Sequence, residues 1–142
     1  MATFSGGCHC GNLALMFETA LDPAQLLPRA CQCSFCRRHG ARCVSDPEGR
    51  VEILVREDAQ LGRYRFALAT ADFLICRRCG VYVGALLSDR DAAWATINVN
   101  VLEQAARFPP GAQPVDYDSE DAQARCARRR ARWTPARLRG RP

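Results

Sequence analysis

A mainly β fold closed by a C-terminal α-helix is the class this sequence predicts, and three observations predict it. Apolar side chains alternate with a period of two in six short stretches, as they do in half-buried strands. Turn-forming clusters of Pro, Gly and Asp separate several of those stretches. Only one segment, near the C-terminus, combines helical periodicity with a plausible cap and a proline stop.

The elements follow in order. In NLALMFE the alternating residues are Leu13, Leu15 and Phe17. The pieces LDPAQLLPR and SDPEGR read as turns, because Pro, Asp and Gly set turn dihedrals. VEILVR alternates Val51, Ile53 and Val55, and RYRFAL alternates Tyr64, Phe66 and Leu68. Phe73 and Ile75 lead into a cysteine pair at 76–79. VYVGALL, interrupted by Gly84, and WATINVN read as two further strands. FPPGAQP, residues 108–114, carries three prolines and a glycine and is expected to be a loop. SEDAQARCARRRARW then reads as a helix of about four turns. Ser119 or Asp118 can cap it, Asp121 suits its N-terminal dipole, and Pro135 stops it. Ala122, Cys126 and Trp133 share one face, which predicts an amphipathic helix that docks Trp133 on the β core.

With 142 residues the chain is expected to form one domain, residues 1–142, with 115–135 as a C-terminal helical extension. No apolar run reaches the 18 residues of a membrane span. MATFSGGCHC lacks the basic and apolar regions of a secretory signal, so a reducing cytoplasm is expected. All 20 basic residues are Arg, which we read as a genome-composition bias that discounts any single Arg as a signal. Residues 1–120 carry 12 Arg against 14 acids, a balance of −2, and residues 121–142 carry 8 Arg against one acid, a balance of +7. Nucleic acid is not the expected partner, because the basic tail offers only Trp133 as an aromatic platform.

Seven of the nine cysteines fall into three clusters: Cys8 and Cys10, then Cys31, Cys33 and Cys36, then Cys76 and Cys79. A CxC on a strand can point both sulfurs at one ion, and a CxxC turn does the same. One CxC and one CxxC make a closed four-thiolate zinc site. The remaining CxCxxC leaves three thiolates and one open position, the feature that separates catalytic from structural zinc. Spacing does not say which CxC joins which CxxC. His39 or Cys43 could close the open position; otherwise Cys43, like Cys126, is assigned to packing, and His9 is expected to point away from the metal.

GGCHCGNLALMF, CQCSFCRRHGA, FLICRRCGVYV and INVNVLE, in this order and spacing, resemble the glutathione-dependent formaldehyde-activating enzyme family, which shares its domain with centromere protein V. The similarity covers roughly residues 4–105, and the tail EDAQARCARRRARW is similar to the family's C-terminal helix. The resemblance implies a β-tent, antiparallel sheets tied together by zinc. It implies Cys8, Cys10, Cys76 and Cys79 as ligands of a structural zinc, and Cys31, Cys33 and Cys36 as ligands of a second zinc near bound glutathione. The implied activity is that of a carbon–sulfur lyase, which forms or cleaves the S-hydroxymethyl adduct of glutathione, or a similar thiol, with formaldehyde or another aldehyde. Arg37, Arg38 or Arg42 could anchor a carboxylate of such a thiol. The alternative is a zinc-stabilised module that carries a thiol or binds a protein without turnover.

Overall fold

The computed structural model describes residues 1–140; Arg141, the last arginine of the basic tail, lies outside them. The chain opens with a hairpin of β1 (Ala2–Gly7) and β2 (Leu13–Thr19), in register Phe4 opposite Phe17. Next come β3 (Arg29–Cys31), the short helix α1 (Ser34–His39), β4 (Cys43–Val44) and β5 (Arg50–Val55). A meander of β6 (Leu61–Tyr64), β7 (Asp72–Cys76), β8 (Tyr82–Asp89) and β9 (Ala92–Asn98) follows. The chain ends with β10 (Gln113–Val115), α2 (Ala122–Arg132) and β11 (Thr134–Gly140).

The strands join into one mixed sheet that branches at β9. Five of the expected strands lie close to where period-two alternation put them: β2, β5, β7, β8 and β9. Their inward residues Leu13, Leu15, Phe17, Val51, Ile53 and Val55 are buried in one apolar cluster. RYRFAL departs from expectation. β6 starts at Leu61 and stops at Tyr64, because Ala67 and Ala69 take left-handed φ values of 53° and 54° that break a strand. Gly84 does not interrupt β8. A Cβ there would lie 2.5 Å from the Thr96 carbonyl oxygen on β9, so glycine lets the two backbones approach. Gly84→Ala is expected to lower stability by about 1–3 kcal/mol, read as a reduced urea midpoint with the slope unchanged.

The sheets are not purely antiparallel. β11 pairs with β5 in parallel, Leu138 beside Ile53, and β10 pairs with β3 in parallel through Pro114 and Ala30. Both parallel strands come from the C-terminal third, so long crossovers precede them, as parallel pairing requires. β11 also pairs with β9 at Thr134 and Ala95, so it bridges the two halves of the sheet. A buried chain of hydrogen bonds fixes that bridge: Thr19 Oγ1 donates to Asp46 Oδ2 (2.6 Å), and Asp46 N donates to Thr134 Oγ1 (2.7 Å).

α2 is shorter than expected and starts later. Its cap is Asp121, which accepts from Ala124 N at 2.8 Å, in place of Ser119 or Asp118. Trp133 is buried against the core, as the amphipathic pattern predicts. The chain then turns back into the sheet, so Pro135 ends the helix without ending the ordered chain.

Candidate functional site

The first thiol cluster lies where two hairpin turns meet. Cys8 and Cys10 sit in the turn after β1, not on a strand, and Cys76 and Cys79 flank the turn from β7 to β8. Gly80 holds φ +81° and donates its N–H to the Cys76 carbonyl at 2.8 Å, which brings Cys79 back beside Cys76. The four sulfurs all lie within 4.8 Å of one another. Cys8 and Cys10 are 3.8 Å apart at sulfur, and Cys10 and Cys76 are 3.5 Å apart. A tetrahedral ion with metal–sulfur bonds of about 2.3 Å sets edges of about 3.8 Å, so these residues fit a four-thiolate zinc. Leu13 N also donates to Cys8 Sγ at 3.2 Å, which favours a thiolate there.

The second cluster is built by a feature the sequence reading missed. Cys31 ends β3, Cys33 caps α1, and Cys36 lies one turn inside that helix. Cys33 Sγ accepts from Cys36 N at 3.3 Å, so the helix cap and the sulfur position are one interaction. These three sulfurs also lie within 4.8 Å of one another. Among the described residues, neither His39 nor Cys43 belongs to this group. His39 stacks on Phe35 at 4.5 Å and faces Tyr82 at 5.4 Å between ring centroids. Cys43 is buried, and desolvation pushes its thiol up to about 11, as suits a packed thiol. His9 is exposed.

The thiols of each cluster compete for negative charge. Contact with Cys31 and then Cys36 holds the Cys33 thiol far below its usual range, while contact with Cys33 pushes Cys31 up and contacts with Cys31 and Cys33 push Cys36 up. In the first cluster burial raises Cys8 to about 11. Burial works against the Cys79 thiolate as well, yet N–H donors from Cys10 and Val81 bring that thiol down to about 6. One sulfur in each group takes the charge at the expense of its neighbours. A divalent cation removes that competition and lets every sulfur ionise. Both clusters could therefore hold a metal ion, and their all-sulfur donors suit zinc.

Only part of the second cluster is covered. Cys31 and Cys33 line a cavity of about 270 Å³ together with Phe66, Phe73, Tyr117 and arginines of α2. Those arginines are Arg125, Arg128 and Arg129. Arg37 and Arg38 are exposed on α1 and do not line the cavity; Arg38 donates to the Ser34 carbonyl at 3.1 Å. Arg42 is bound to Asn100 Oδ1 and to the carbonyls of Pro109 and Gly111. The use of Arg at all 20 basic positions of the chain hid the α2 arginines, whose spacing Arg125, Arg128, Arg129 marks one helix face.

A mainly β fold with one closed four-thiol cluster and one three-thiol cluster open to a cavity defines a class of thiol-rich proteins with candidate metal sites. Within that class, the profile of the glutathione-dependent formaldehyde-activating enzyme family matches residues 3–116, and the chain belongs to that family. The chain is also similar to a Rhodobacter sphaeroides protein of known crystal structure, at 33% identity and a TM-score of 0.54, over 78% of this chain and 97% of that one. No curated protein matches. The profile ends before α2 and β11, so the cavity's arginines lie beyond the matched residues. Among the described residues, no helix is long and apolar enough to cross a membrane.

Proposed function

We propose that the chain is a zinc-dependent carbon–sulfur lyase-type enzyme that joins a small thiol, glutathione by family, to formaldehyde or a similar aldehyde, and cleaves the same adduct in reverse. The observation that carries this reading is the count at the second cluster: three sulfurs, not four, with Cys31 and Cys33 facing a cavity. Cys8, Cys10, Cys76 and Cys79 would hold a structural zinc, and Cys31, Cys33 and Cys36 a second. A zinc ion held there would supply an open coordination position and would lower the pKa of a thiol bound at it.

The chain's own residues set the rest. The adduct forms when the thiol sulfur bonds to the carbonyl carbon and a proton reaches the carbonyl oxygen; cleavage reverses both changes. Three thiolates donate much charge, so orientation of the thiol within the cavity contributes more than Lewis acidity. Phe66 and Phe73 form an apolar wall beside Cys31 and Cys33, which excludes water from the reacting sulfur.

The test is the initial rate of adduct formation from glutathione and formaldehyde, with and without zinc-loaded protein. Saturable acceleration above the uncatalysed rate is expected. Thiol binding without acceleration would reject turnover and leave a thiol carrier.

A further inference from the structure

The cavity beside the second thiol cluster contains a buried cation with no acidic partner. Arg129 lies on the inner face of α2 and is only 8% exposed. Its Nη1 donates to Thr70 Oγ1 at 2.8 Å, and its Nε has no hydrogen-bond partner. Its guanidinium lies 4.8 Å from the centre of the Trp133 ring, which fixes its plane. Among the described residues, no carboxylate pairs with it. The neighbours differ. Arg125 and Arg128 both bind Glu120, at 3.4 Å and 2.7 Å, and Arg128 also stacks over Tyr117. Glu120 is thereby committed, and Arg129 is left over.

A buried charge without a counter-charge is expensive, and proteins keep one where a ligand completes it. Burial lowers the Arg129 guanidinium to about 10, still well above neutrality, so it remains a cation. It lines the same cavity as Cys31 and Cys33, and it also lines the smaller adjoining space walled by Cys36 and Tyr82. At the cavity mouth Asp116 and Asp118 are exposed, so the entrance is not uniformly basic and disfavours a polyanion such as RNA.

We propose that Arg129 is the carboxylate anchor of this cavity, and that it selects a thiol whose carboxylate stands several bonds from the sulfur. This rests on the thiol reading of the second cluster and adds to it a specificity-determining residue beyond the segment that the family profile matches. A planar guanidinium held by Thr70 and Trp133 offers its remaining N–H groups to a carboxylate as a charge-assisted pair.

The experiment is isothermal titration calorimetry on the zinc-loaded full chain with three probes. They are glutathione, its bis-carboxamide, and the analogue with a methyl group in place of the thiol. Glutathione is expected to bind about 10- to 100-fold tighter than the bis-carboxamide, the range for a hydrogen bond to a charged group. In Arg129→Gln that ratio is expected to fall toward one, while Arg129→Lys, which keeps the charge without the fork, retains part of it. Equal affinity for glutathione and the bis-carboxamide in the parent chain overturns the proposal whether or not the variants fold. A full ratio persisting in Arg129→Gln overturns Arg129 as the anchor. If the methyl analogue binds as tightly as glutathione, and with the same dependence on Arg129, the anion anchor stands and the thiol reading fails.

Discussion

Cys76→Ser is expected to abolish the folded state, or at least soluble expression, because it opens the closed thiol cluster from within. Cys76 is fully buried at the end of β7, and its sulfur lies 3.5 Å from that of Cys10. The cluster brings the β1–β2 turn against the β7–β8 turn, two segments far apart in sequence. A structural zinc is worth on the order of 10 kcal/mol in apparent binding energy, comparable with the entire stability of a domain. Serine is a poor ligand for zinc and leaves a buried hydroxyl where a sulfur stood. The checks are soluble yield, far-ultraviolet circular dichroism and zinc per chain. A variant that melts within a few degrees of the parent would show that this cluster does not hold the fold together.

The sequence shows the fold's interior more clearly than its edges, for a physical reason. β2 and β5 turn one face to the main core, so each alternate position must be apolar, and Leu13, Leu15, Val51 and Ile53 announce it. β3, β4 and β10 have two or three residues each, too short to show any period. β11 did carry a signal. Thr134, Ala136 and Leu138 alternate with Pro135, Arg137 and Arg139, and the first set is the less exposed one. With arginines at alternate positions, it reads in the sequence only as part of the basic tail. The thiol clusters were legible because ligand spacing is local in each piece, whereas the cavity arginines depend on how α2 docks, which no local pattern encodes. The six-residue helix α1 was hidden for a related reason, since Cys33 serves at once as cap and as candidate ligand.

Cys33→Ser is the counterpart of Cys76→Ser, and it is expected to spare the fold while removing the chemistry. Cys33 is half-buried at the start of α1, and its sulfur caps the helix by accepting from Cys36 N. Serine is among the preferred helix caps, so the local structure survives the exchange. The closed cluster at Cys8, Cys10, Cys76 and Cys79 is untouched, and the main apolar core does not include Cys33. Two sulfurs remain at the second cluster, too few to hold zinc firmly against competing thiols. Native mass spectrometry is therefore expected to find one zinc per chain in place of two, with thermal stability lowered by no more than about 1–2 kcal/mol. Adduct formation is expected to return to the uncatalysed rate. Cys43→Ser is the control, because that buried thiol stands outside the trio and should leave two zincs in place. Equal damage from Cys33→Ser and Cys76→Ser would mean that both clusters are structural. The open position beside the cavity would then have no separate role, because a metal that the fold cannot lose cannot be reserved for an incoming thiol.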